Sequence, residues 1–114
     1  MYEIIIYETD KGNKPLKDFM SGIPNEKDLA KIKQSIKLLK SYGKEVNIHR
    51  PNTIRKIKDE IYELRPKKYR ILFFGFDNNN KFILLHGFVK AGAKTPKSEK
   101  NKAFNEMKDF LRRN

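Results

Sequence analysis

Apolar positions along the chain change period several times, and each change marks an element. Residues 2–8, YEIIIYE, are short, β-branched and aromatic, which predicts a first strand. The polar run TDKGNK predicts a turn. Pro15 then suits the first position of a short helix, with Asn13 nearby as a candidate cap and Leu16, Phe19 and Met20 on its apolar face. Ser21-Gly22 ends it. After Pro24, Leu29, Ile32, Ile36 and Leu39 recur at spacings of three and four, the period of a longer helix. Asn25 can cap that helix, Glu26 and Asp28 suit its positive N-terminal end, and Gly43 stops it.

The β part follows NIHRPN. Residues 54–58, IRKIK, and 60–65, EIYELR, alternate well enough for a strand with one wet face. Pro66-Lys67-Lys68 signals a turn, and YRILFFGF (69–76) is apolar enough for a central strand covered on both faces. DNNNK makes a hairpin turn, and FILLHGFV (82–89) returns antiparallel. From Ser98 onward, Ala103, Phe104, Met107, Phe110 and Leu111 share one helical face. The order is β-α-α-β-β-β-α, a small α+β fold read as a single domain over 1–114, without repeats or linkers.

Hairpin geometry gathers cations on this scaffold. Arg65 and Arg70 flank one short turn, the next hairpin returns Lys90 beside Arg70, and Lys94 follows in the loop AGAKTP. Two registers are open. If Phe76 pairs with Phe82, a cross-strand aromatic pair forms, Arg70 lies opposite Phe88, and His86 and Lys90 share its face. If the loop has four residues, Arg70 lies opposite Gly87 and His86 points away.

Charge sharpens the picture. The net charge is +12, and its distribution is one-sided: residues 1–49 carry 9 Lys/Arg and 7 acids, residues 50–114 carry 17 and 7. Such a field attracts polyanions, above all nucleic acid. Eight Phe and five Tyr supply a core, so disorder is not expected despite 35% charged residues. The absence of Cys excludes disulfides and thiolate metal sites. MYEIIIYETD is apolar for too few residues and lacks the basic leader of a signal peptide, and no stretch approaches the ~20 apolar residues of a membrane span. A cytoplasmic protein is expected.

Clustered cations suit a phosphate, which Arg meets with a planar fork and Lys with a movable point charge. Crowding also disfavours the charged form of a lysine, which could then take a proton near neutral pH. Attack of a ribose 2′-OH on the adjacent phosphate needs such a base, cations for the phosphorane, and an acid for the leaving 5′-oxygen. Arg65 and Arg70 suit the phosphorane, while Lys90, Lys94 or His86 suit the proton transfers. Arg55, Lys56, Lys58, Lys67 and Lys68 are expected to add RNA contacts. No metal or cofactor is expected, because alternation splits Asp59, Glu60 and Glu63 and no Asp or His partner is evident. Structural roles compete: Arg65 can pair with Glu63 or Asp59, Lys90 and Lys94 can be solvated, and a histidine in an apolar strand is more often a hydrogen-bonded core residue. Tyr62 and Tyr69 read as packing residues, although an aromatic at the rim could stack a base.

IYELRPKKYRILFF, followed by FILLHGFVKAGAKTP and then a helix, resembles the HigB-like toxins of the RelE/ParE superfamily, particularly the phage-derived branch. The resemblance covers most of the chain and rests on the order of its motifs. It implies a RelE-like fold, with a mainly antiparallel twisted sheet packed against helices. It also implies a ribosome-dependent, metal-independent mRNA endonuclease acting in the A site. The partner it implies is a helix-turn-helix antitoxin that binds the toxin in a hetero-oligomer. Arg65 and Arg70 would hold the scissile phosphate, and Lys90 and Lys94 would add phosphate binding or proton transfer. Related loops often run Lys-Lys where this chain has Lys90-Ala91, which leaves a share of the work to Lys94 or to Arg55, Lys56 and Lys58. The alternatives are a ParE-like gyrase poison without catalysis and a non-catalytic RNA- or ribosome-binding module.

Overall fold

A five-stranded sheet with helices on both faces organises the computed structural model, which describes residues 1–114. The strands are β1 (Glu3–Ile6), β2 (Ile54–Lys58), β3 (Ile61–Leu64), β4 (Tyr69–Phe76) and β5 (Lys81–Val89). Helices α1 (Pro15–Ser21) and α2 (Glu26–Tyr42) precede β2, and α4 (Lys97–Arg113) ends the chain. Between α2 and β2 lie a 3-10 turn, Gly43–Glu45, and the one-turn helix α3 (Val46–His49). The sheet order is β1-β5-β4-β3-β2, antiparallel except for β1, which runs parallel to β5.

The local signals account for the helices. Pro15 opens α1, and the Asn25 side chain accepts hydrogen bonds from the backbone N–H groups of Lys27 and Asp28. Gly43 ends α2 with φ at +62°, which non-glycine residues adopt only with strain. Residues 54–65, which alternate like one strand, form a β2–β3 hairpin instead. The break falls at Asp59 and Glu60, where Asp59 takes φ +52° and the pairing skips a residue between Lys56 and Lys58. The sheet therefore has one strand more than the alternation suggests.

Side-chain alternation divides the core in two. Leu16, Ile32, Leu39, Leu64, Ile71, Phe73, Phe82 and Leu84 fill the layer beneath α1 and α2. Ile61, Leu72, Phe74, Ile83, Leu85, Ala103, Met107 and Phe110 fill the layer beneath α4. Strand β4 is buried on both faces, as its apolar run requires. Gly87 lets the Phe19 ring of α1 lie directly on β5, since an added Cβ would stand 2.5 Å from a ring carbon.

The β4–β5 ladder contains both registers open to the sequence. Phe76 pairs with Lys81 and Gly75 with Phe82, so the Phe76–Phe82 pair does not form. One extra residue then enters β5: Phe73 opposes Leu84, whereas Leu72 opposes His86. Beyond this bulge Arg70 lies opposite Phe88. The bulge turns Leu85 and His86 together toward α4, because the residue it inserts breaks the alternation.

Candidate functional site

At the Arg70 end the α4 face of the sheet is covered by the 90–96 loop, since α4 begins only at Lys97. Here Glu63 of β3 is the central residue. It is 2% exposed and is bracketed by Arg65 Nε at 3.6 Å and Arg70 Nε at 3.8 Å from the same carboxylate oxygen. Its other oxygen accepts a 2.9 Å hydrogen bond from Thr95 Oγ1, which holds the 90–96 loop against β3. Arg55 stands across the β2–β3 ladder from Glu63. Lys90 and Lys94 complete a shallow recess with Glu63, Arg70, Phe88 and Thr95. Its volume of about 10 Å³ admits about one water molecule, so a phosphate must sit over its rim.

The backbone fixes Arg70. Its Nη1 donates to the carbonyls of Lys67 at 3.0 Å and Tyr69 at 2.7 Å, while Lys90 N–H donates to the Lys68 carbonyl at 2.8 Å. The turn thus holds both a guanidinium and the start of the lysine loop. Burial lowers the Arg70 pKa first, then the Arg65 charge, against the opposing pull of Glu63 and with a further push from Arg55. An arginine remains a cation under that pressure, so Arg70 is a fixed charge and not a proton acceptor.

These ion pairs are loose. Charge-assisted hydrogen bonds run about 2.7–2.9 Å, and both arginine contacts to Glu63 are longer. Arg65 Nε is buried with no hydrogen-bond acceptor. One carboxylate among three arginines and two lysines leaves an excess of positive charge, with one buried donor, Arg65 Nε, unpartnered.

The other residues singled out from the sequence divide by face. Lys58 lies next to the cluster, sharing a cleft with Lys94. Lys56 points to the opposite face, where it lines a recess with Lys44 and Tyr62. Lys67 reaches Asp28 of α2 at 3.1 Å, and Lys68 lies over the Tyr69 ring. The Tyr69 hydroxyl donates to Asp28 at 2.7 Å; with Lys67, it holds that carboxyl below its usual range. Tyr69 is therefore committed to packing, and Tyr62 stacks on Phe73.

His86 shares the face of Arg70 but lies beneath α4 at 2% exposure. Nδ1 is 2.6 Å from Glu106 and Nε2 is 2.9 Å from Glu99. Neutral imidazole can donate only once, so the two contacts require a second proton, on the ring or on a carboxyl. Both nitrogens are thus occupied in holding α4. No group of three or more His, Asp or Glu side chains is arranged to hold a metal ion.

Sequence reading passed over Glu63 as the hub, Thr95 as its latch and the two glutamates around His86. A signal for Glu63 exists: it stands two residues before Arg65, which puts both charges on one strand face. Thr95 and the glutamates lie 32, 13 and 20 residues from their partners and leave no local trace.

Fold and site together define a small basic α+β protein with an arginine cluster at one end of its sheet. Residues 18–108 match the family described as phage derived protein Gp49-like (DUF891), and the chain belongs to it. This toxin-like family is related to the RelE- and HigB-type toxins. No curated protein matches the chain. No helix is long and apolar enough to cross a membrane.

Proposed function

We propose that the chain is the toxin of a toxin–antitoxin module, of HigB type, and that it cuts mRNA on the translating ribosome without a metal. The observation that carries this reading is the loose, donor-rich arrangement of Arg65 and Arg70 around a single carboxylate at the end of the sheet that meets the 90–96 loop. Family membership supports the toxin class. In the reaction, the 2′-oxygen forms a bond to phosphorus as the bond to the 5′-oxygen breaks, leaving a cyclic phosphate and a 5′-hydroxyl. Arg65 and Arg70 hold the phosphorane oxygens. Lys90 and Lys94, exposed on the loop side of the recess, move protons to and from the ribose oxygens. His86 acts at one remove, by positioning α4.

An antitoxin partner belongs to the same reading. An apolar cleft of about 420 Å³ beneath α1 and α2, floored by Leu16, Met20 and Ile36 and edged by Lys14, Lys17 and Lys33, supports a second surface for an acidic, amphipathic segment.

The test is mapping of mRNA ends after induction in bacteria. Arg70 is buried and its Nη1 is bonded to two carbonyls, so alanine there would strip the turn of its partner. Arg65→Ala and Arg70→Lys are the better variants. Cuts confined to translated codons should fall about 10²- to 10³-fold in both, with circular dichroism unchanged. Arrest with intact mRNA and DNA damage signalling would transfer the chain to the gyrase poisons. Neither arrest nor cuts would leave a binding module.

A further inference from the structure

Beside the arginine recess lies a second, larger cleft of about 330 Å³ between the β2–β3 hairpin and the first turns of α4. Lys94 and Thr95 line both hollows, so the two adjoin on either side of this stretch of the loop. Four lysines line it: Lys58, Lys94, Lys97 and Lys100. None of the four has a carboxylate within ion-pairing distance. The acid in the first turn of α4, Glu99, is turned inward to His86, which leaves that turn cationic toward the cleft. Its wall is apolar: Ile57 and Ile61 stand with Phe104, a residue 38% exposed, whose ring carries the Lys108 ammonium 5.0 Å from its centroid.

We propose that this cleft is a nucleotide subsite, seating the base and phosphate of the residue that adjoins the scissile phosphate in single-stranded RNA. The inference rests on the RNA-cleaving reading above and adds to it where the substrate lies. Unpaired lysines around an exposed aromatic match a nucleotide better than an acidic peptide, because a base offers a flat face to Phe104 while its phosphate meets the lysines. The Asn101 amide at the same wall can meet a base edge. Lys94 stands at the edge the two hollows share, so a strand seated in the subsite and crossing that edge would bring its next phosphate over the arginine recess.

The experiment is fluorescence anisotropy of the full chain with a 2′-O-methyl RNA of about six nucleotides, which cannot be cut. Phe104→Ala should weaken binding about 5- to 100-fold through lost stacking and leave the salt dependence unchanged. Lys97→Ala with Lys100→Ala should instead flatten the slope of log affinity against log salt by about 1.4. An abasic strand of equal length should bind wild type as weakly as the intact strand binds the Phe104 variant. Wild-type affinity in the Phe104 variant, or equal affinity for the abasic strand, overturns the base subsite. An unchanged slope in the lysine pair overturns its phosphate contact. Either result leaves codon-confined cutting, and its loss in Arg65→Ala, as the separate test of the cleavage reading.

Discussion

Two buried charge networks face α4 from the same sheet, and they are built to opposite specifications. Under α4, His86 meets Glu106 at 2.6 Å and Glu99 at 2.9 Å, and at the far end the Tyr7 hydroxyl donates to Asp109 at 2.6 Å. Arg113 bonds the same carboxylate and the Glu8 carbonyl. Each polar group named there has a partner at hydrogen-bonding distance. Around Glu63 the contacts lengthen to 3.6 and 3.8 Å, cations outnumber the carboxylate, and Arg65 Nε has no acceptor. A closed network resists further ligands and stabilises a helix; an open one has interaction energy still available to a substrate. The difference is what the proposed division of roles rests on: a closed network that holds α4, and an open one offered to a phosphate.

The largest effect expected in breaking this contrast is at His86. His86→Ala leaves Glu99 and Glu106 facing each other without a donor, and urea unfolding should show a loss of about 3–5 kcal/mol. His86→Gln, which keeps one donor, should recover part of that stability and cut mRNA at the wild-type rate per folded molecule. Lost cutting with retained stability would place His86 in the chemistry.

A smaller change should come from Glu63→Gln, which keeps an acceptor for Thr95 while removing the charge between the arginines. Affinity for the uncleavable RNA should rise about fivefold, since a competing charge some 4 Å away contributes about 1 kcal/mol in water. Stability should fall in parallel. A fall in affinity would mean that Glu63 shapes the site and does not compete for it.

The smallest effect is expected at Asp109→Asn, and it should depend on pH. The Arg113 hydrogen bond, followed by that of Tyr7, holds the Asp109 carboxyl well below the usual carboxylate range. A depressed folded pKa contributes stability that is present above the unfolded value of about 4 and is lost as pH falls toward the folded value. The variant should therefore melt below wild type at pH 7, and the gap should close under acid conditions. A gap that persisted there would assign the loss to packing and not to charge.

Much of the site could be read from the chain because hairpins convert sequence proximity into spatial proximity. Arg65, Arg70 and Lys90 meet for that reason alone. The register could not be read, since FILLHGFV is apolar on both faces apart from His86, and Gly87 marks an irregularity without saying where the extra residue enters. The four-residue turn sets one register at the Phe76 end, and the bulge restores the other before Arg70. The β2–β3 turn was equally hidden, because Asp59-Glu60 lacks the Gly or Pro that announces a break. Lys67 and Lys68, adjacent to the arginines in the chain, were drawn away by Asp28 and Tyr69 from the opposite face.

By itself the sequence determined most of the elements of this protein, though not the β2–β3 break or the short helix α3, together with the α+β class, the basic C-terminal half and the end of the sheet where its arginines gather. These follow from caps, periods and turns, whose hydrogen bonds close between near neighbours. Tertiary structure alone decided that β1 runs parallel to β5, that His86 is clamped by two carboxylates under α4, and that Glu63 and Thr95 sit at the centre of the cations. Those outcomes depend on which face each residue presents after a single inserted residue in one strand, and on partners that meet only once the sheet and its covering helices have closed.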